Sequence, residues 1–419
     1  MIQMLIAFFS LFGMGLIPIY FGSKRALSRL YRTLEQTLQT GNKAKEEKNK
    51  EDEVEETLFP TADPMSKKDA LQFPLIAGSI LTGLFLVVKF INKKYVNILL
   101  MFYFFGVGVF STMEAFSTTL RRFLPESLRK KQPWKFSTKI PFVSNTQKFS
   151  LTVSNLLTGI IGVVVGLSFI FTKNWVINNL LGLIFCFNGV AVLSIQNFQV
   201  IVLLLVGLFF YDIYFVFYTP VMVGVAKAIE GPVKLMFPKN LSSASEFSML
   251  GLGDIVVPGL LISLMIRFDF YLANKNYFQK IHRQTSEQFL VEREKEKEKE
   301  NENENENEKE NQNENQNQNE NEKEKEKNHF YNTHFSQFYF KVSFISYFIG
   351  TLSTILVMLI FQKPQPALLY LVPSTLLGVV FAAIKKGDFS TLYDFDQKFL
   401  FPKIPEDSQE NNNKDKKEK

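Results

Sequence analysis

Long apolar runs alternate with polar stretches along this chain, and the apolar runs set its architecture. Nine of them carry hardly a charge, at about 2–21, 74–92, 95–116, 150–172, 175–195, 198–220, 247–267, 340–361 and 366–384. Each approaches the roughly 20 residues that an α-helix needs to cross the hydrocarbon core of a bilayer. The pattern predicts an all-α polytopic membrane protein with about nine transmembrane helices. Gly and Pro inside the runs are compatible with this, because neighbouring helices in a membrane re-satisfy freed backbone groups. The first run has no positive charge before it and Lys24 and Arg25 after it. A cleavable signal sequence has the reverse arrangement, so this run is read as a retained helix.

The polar stretches divide the chain. Residues 1–220 hold the first six spans, with loops at 22–73 and 117–149. Residues 221–273 form a loop and the seventh span, 274–339 a polar insert, 340–388 the last two spans, and 389–419 a tail. Within the insert, 294–328 contain nothing but Glu, Lys, Asn and Gln. Such a tract buries too little apolar surface to offset the entropy of ordering, so it is expected to be disordered, as is the mixed-charge stretch 41–57. These tracts explain why a chain that is 46% hydrophobic has a mean hydropathy of only +0.03.

The net charge of +6 comes from basic residues at the flanks of the spans, which signals topology and not a nucleic-acid partner. Lys24, Arg25, Arg29 and Arg32 follow the first span. Arg121, Arg122, Arg129, Lys130, Lys131, Lys135 and Lys139 follow the third, against the single acid Glu126, and Lys385 and Lys386 follow the ninth. With nine spans these three places share one side, which the positive-inside bias makes cytosolic. The N-terminus is then lumenal and the C-terminus cytosolic. One cysteine, Cys186, excludes a disulfide framework and a Cys-based metal site, and three His leave little room for another. Neither a metal nor an organic cofactor is expected.

Acids inside membrane spans are costly, so each marks a functional hypothesis. Asp212 lies in FFYDIYFVFY, late in the sixth span, and Asp254 in MLGLGDIVVPG, early in the seventh. The two spans run in opposite directions, which places both carboxylates at similar depth on neighbouring helices. Paired carboxylates share a proton; the ionised one can activate a water while the acid polarises a carbonyl, as in aspartic proteases. A proton or ion relay in a transporter uses buried acids too, and a structural hydrogen-bonded pair is a third reading. Gly251 and Gly253 flank Leu252 before Asp254, where small residues let a backbone approach closely. Pro364, Pro366 and Pro373 interrupt helical bonding around the start of the ninth span. Cys186 reads as a small core residue. Glu114 and Lys89, near span ends, read as interfacial or snorkelling.

Taken in order, Tyr211-Asp212, Gly251-Leu252-Gly253-Asp254 and Pro366-Ala367-Leu368 resemble the motifs of the intramembrane aspartyl proteases of the presenilin and signal peptide peptidase superfamily. The wider text is similar to the signal peptide peptidase branch: GLFFYDIYFVF, VAKAIEGPVKLMFP, RFD at 267–269, QPALLYLVP, DALQFPLIAGS and NNLLGLIFCFNGV. The resemblance covers about 69–388 and leaves out 41–57 and 292–328. It implies a nine-span endoplasmic-reticulum protease that cleaves membrane-spanning helices within the bilayer, signal-peptide remnants and type II segments being its typical substrates. Asp212 and Asp254 would be the catalytic pair. Pro366, Ala367 and Leu368 would shape the site beside them, with Gly251, Leu252 and Gly253, and Tyr211 would be a neighbour and not a catalyst.

Presenilin is the near alternative. It has the opposite orientation and a long loop between its two Asp-bearing helices, where this chain has the short 221–246. Related peptidases with a glycosylated lumenal domain fit less well, since the first span begins at once. A non-proteolytic transporter and a silent binder of membrane helices remain as other classes. The expected partners are membrane-spanning peptides and the lipid bilayer, with a homo-oligomer left open. The terminal KKEK places Lys416 and Lys417 as a dilysine retrieval signal on a cytosolic tail. Asn240-Leu241-Ser242 is a sequon in a short lumenal loop.

Overall fold

The computed structural model describes residues 2–43, 65–129, 134–138, 147–193, 195–239, 246–279, 335–361 and 365–401. Pro364, Asn240, most of 41–57, the tract 292–328, and Lys416 and Lys417 lie outside these residues. Among the described residues, nine helices are long and apolar enough to cross a membrane, as expected. They are α1 (Ile2–Lys43), α2 (Lys67–Phe90), α3 (Lys93–Phe123), α4 (Val153–Thr172), α5 (Trp175–Val192), α6 (Phe198–Ile213, continued by a π-helical turn to Tyr218), α7 (Gly253–Ala273), α8 (Phe338–Phe361) and α9 (Leu368–Lys386).

The polar residues between the spans set where the helices begin. Ser66 and Asp69 form a reciprocal capping box at the start of α2, and Thr152, Asn174 and Asn197 cap α4, α5 and α6 through their side-chain oxygens. Gly387, left-handed at φ 76°, ends α9.

Three expectations change. First, α1 does not end near Phe21. It runs on to Lys43, roughly 60 Å at about 1.5 Å per residue, because the Arg, Leu, Glu and Gln beyond the apolar run are good helix formers. This extension is tied to α3. Arg25 donates to the Thr118 hydroxyl at 2.8 Å, and Arg29 pairs with the Glu114 carboxylate and donates to the Ala191 carbonyl at 3.3 Å. Second, Glu114 is therefore not a snorkelling side chain. It is buried, and the guanidinium brought by α1 makes that burial tolerable.

Third, the all-α membrane fold carries two antiparallel hairpins. One, β1 (Trp134–Thr138) with β2 (Gln147–Leu151), lies in the loop after α3. The other, β3 (Lys234–Pro238) with β4 (Phe247–Gly251), occupies the start of what reads as the seventh span. A short apolar strand and a buried helix segment have the same hydropathy, so the pattern merges β4 with α7. Two asparagines on α5 fix this hairpin: Asn178 donates to the Lys234 carbonyl at 2.9 Å, and Asn179 exchanges bonds with the Met236 main chain at 2.6 and 2.8 Å.

Helix α1 packs on α5, α3 on α4, and α6 on both α2 and α9. Some 78% of the apolar window of α7 is buried within the protein, against 6% for α2, so α7 is enclosed by protein and α2 faces lipid. Close approach of α1 and α5 to α7 requires Gly259, where a Cβ would stand 2.8 Å from Val190 and 3.3 Å from Ile19. The chain divides into two compact units. One is Met1–Ile266 with Tyr339–Asp394; the other is Arg267–Phe338 with Phe395–Lys419. In the second, Arg267 donates to the Gln397 side chain at 2.6 Å, and Phe268 and Tyr271 both stack near Phe395.

Removing Glu114 should strand a largely buried arginine. Glu114→Ala is expected to lower unfolding stability in detergent by about 2–3 kcal/mol, and Arg29→Ala/Glu114→Ala by less than the sum of the single changes. A double variant no better than additive on thermal unfolding would show that the pair is not coupled.

Candidate active site

Asp212 sits one residue before α6 ends. Beyond it the chain leaves α-geometry, and Tyr214–Tyr218 wind as a π-helical turn. Its side chain is 3% exposed and accepts a hydrogen bond at 2.9 Å from the main-chain N–H of Leu368. That N–H is available for a structural reason. Leu368 is the first residue of α9, and the leading N–H groups of a helix have no partner within it. Pro366 just upstream favours the helix starting there and not earlier. The Pro366 and Ala367 carbonyls in turn accept from Leu369, Tyr370 and Leu371. The Pro-Ala-Leu segment thus faces Asp212 with a main-chain donor, and its side chains play no polar part.

Asp254 is the second residue of α7, not seven residues into a helix, and is partly exposed. Strand β4 delivers it. Gly251 ends the strand, the Leu252 N–H donates back to the Val233 carbonyl at 3.2 Å, and the Leu252 carbonyl accepts the first bonds of α7 from Ile255 and Val256. The Gly251 N–H acts as a donor to the Asp254 carboxylate. A Cβ on Gly251 would lie 3.2 Å from Asp254 Oδ2, so the glycine keeps that carboxylate in place. Gly253 differs: it is exposed, and a Cβ there would meet nothing within 4 Å. It leaves bare backbone and open space beside the acid.

The two acids lie within electrostatic range, the Asp212 charge being among those that act on Asp254. Tyr211 packs at 4.6 Å on Phe215, next to Gly78 of α2, and so braces α6 against α2. Cys186 is fully buried in the core, its Sγ 4.0 Å from the Leu252 carbonyl. Sequence reading passes over Tyr347 of α8, which is 1% exposed and donates from its hydroxyl to the Asp254 main-chain carbonyl at 3.4 Å. A phenol in an apolar span must find a partner, and that is the signal by which it could have been found. Among the described residues, no three His, Cys, Asp or Glu side chains gather as a metal site would require.

Two carboxylates from different helices, each held by a main-chain donor, form a site with acid–base capacity inside an apolar shell. A family model described as signal peptide peptidase matches residues 50–398. The chain belongs to the signal peptide peptidase family. It is 31% identical over 398 residues to the human signal peptide peptidase, covering 94% of this chain and 84% of that protein. It is 33% identical over 236 residues to intramembrane protease 2 of Caenorhabditis elegans, which covers 55% of this chain and 40% of that one. Signal peptide peptidase-like 1 of Arabidopsis thaliana is 27% identical over 340 residues, 71% of this chain and 78% of that protein. This member of the signal peptide peptidase family is therefore a multi-pass membrane protease, and the transporter and silent-binder alternatives fall away.

The contrast between the two glycines is testable. Gly251→Ala should push Asp254 aside by a few tenths of an ångström and lower cleavage of a labelled membrane peptide by about tenfold, with the folded yield unchanged. Wild-type turnover by this variant would show that the contact is not limiting.

Proposed function

We propose that Asp212 and Asp254 form one aspartic-protease unit that hydrolyses peptide bonds within membrane-spanning helices, signal-peptide remnants and type II segments among them. The observation that carries this reading is the approach of two carboxylates from α6 and α7, fixed by the Leu368 and Gly251 main chains, in a protein whose family is peptidolytic. An intact helix hides its carbonyls in its own hydrogen bonds, so the substrate must be locally extended at the site. Strand β4, which ends at Gly251, has no strand on its outer side among the described residues, and an extended segment can pair there next to Asp254. The open space at Gly253 gives that segment room.

In the reaction, the ionised aspartate takes a proton from water as its oxygen attacks the scissile carbonyl carbon. The protonated aspartate donates to the carbonyl oxygen. Collapse of the tetrahedral species breaks the C–N bond, and a proton passes to the leaving amine. The pair titrates jointly, so the two roles belong to the unit.

Residence in the endoplasmic reticulum with a lumenal N-terminus is part of the same reading. Lys24 lies 5.7 Å from the Phe340 ring centre at the start of α8, and Lys386 lies 5.8 Å from that of Tyr339. The first basic residue after the apolar run of α1 and the basic end of α9 thus lie at one level, as a cytosolic rim would require.

Asp212→Asn, Asp254→Asn and the double change should each abolish cleavage of a labelled signal peptide by purified enzyme, by about a thousandfold or more, with no further loss in the double variant. Cleavage retained by either single variant would refute the pairing. For location, Lys416→Ser/Lys417→Ser should release the protein from the endoplasmic reticulum on imaging. An unchanged distribution would remove the tail as the retrieval signal.

A further inference from the structure

The first turn of α7 contains a vacancy that its own sequence creates. In an α-helix the carbonyl of residue i accepts from the N–H of residue i+4. For Asp254 that residue is Pro258, which lies inside α7 and has no N–H. The proline ring also crowds the carbonyl four residues back and tilts it away from the helix axis. The main-chain oxygen of Asp254 is therefore left without its helical partner in the first turn of a helix whose apolar window is 78% buried, where an unmet carbonyl is costly. Tyr347 lies opposite. Its ring is buried and stacks near Phe12 of α1 at 6.4 Å, and its hydroxyl reaches the Asp254 carbonyl at 3.4 Å. One turn further along α8, Thr351 bonds the Tyr347 carbonyl at 2.8 Å.

We propose that Tyr347 is a positioning residue for Asp254: its hydroxyl stands in for the N–H that Pro258 lacks, and so fixes the backbone from which the carboxylate projects. The proline frees the carbonyl and the tyrosine captures it, which ties α8 to the first turn of α7 at the residue where backbone placement matters most. The inference rests on the reading of Asp254 as a catalytic group.

The test compares wild type, Tyr347→Phe, Pro258→Ala, the double variant and Asp254→Asn as purified full-length enzymes, using a fluorophore-labelled signal peptide in detergent and rates referred to the monodisperse fraction. Phenylalanine keeps the ring and its packing and removes only the donor. Tyr347→Phe should lower kcat about tenfold with KM unchanged, the size of one lost hydrogen bond to a carbonyl. In the Pro258→Ala background the same change should cost less than about twofold, because the N–H of the new alanine takes the carbonyl. Equal losses in both backgrounds, a rise in KM alone, or wild-type kcat for Tyr347→Phe would overturn the proposal. Should Tyr347→Phe alone fail to yield monodisperse protein, the double variant is expected to yield it and to lie within about twofold of Pro258→Ala, and failure of that comparison overturns it equally. An active Asp254→Asn would defeat the catalytic reading itself. An inactive Asp254→Asn beside a fully active Tyr347→Phe would defeat only the role of the tyrosine.

Discussion

The hydrogen bond from the Leu368 N–H to the Asp212 carboxylate is the joint on which the site depends. A carboxylate in an apolar environment must be neutralised, paired or hydrogen-bonded, and in a bilayer the donors available are few. Side-chain donors would have to be buried polar groups in their own right. The start of a helix offers N–H groups at no such cost, because they have no internal partner in any case. Breaking the chain at Pro366 places such a start against the last turn of α6. A short tripeptide with no polar side chain can therefore matter to an acid far away in sequence.

The same economy recurs around Asp254. Its carboxylate receives the Gly251 N–H at the end of a strand, and its carbonyl, freed by Pro258, receives the Tyr347 hydroxyl. The departures from α-helical geometry close to the acids are the π-turn after Asp212, hairpin β3–β4 and the start of α9. Regular helices hold the site in place, and irregular backbone supplies its donors.

Most of the architecture is legible in the sequence because the bilayer imposes it: nine runs of the right length give nine helices among the described residues, and the two acids are conspicuous where charge is dear. The parts that escape are those where hydropathy is silent. Phe247–Gly251 is as apolar as the helix that follows, and only cross-strand pairing reveals it as a strand. Glu114 looks interfacial until α1 is seen to bring Arg29 to it, a contact across 85 positions. Residues 22–43 read as a loop because they are polar, although their helix propensity is high. Tyr347 escapes because, although Pro258 marks the Asp254 carbonyl as lacking its helical donor, hydropathy does not say which side chain of another helix reaches it.

The length of α9 has a consequence for where water and substrate meet. From Leu368, bonded to Asp212, to the basic rim at Lys385 the helix rises roughly 25 Å, most of the roughly 30 Å hydrocarbon thickness. The acids therefore belong to the leaflet opposite the basic rim. If the acids are the catalytic pair, hydrolytic water has only a thin layer to cross from that face. A bound helix has to fray only near the end that emerges on the same side, so the protein acts as a ruler that measures its cut from one surface of the membrane.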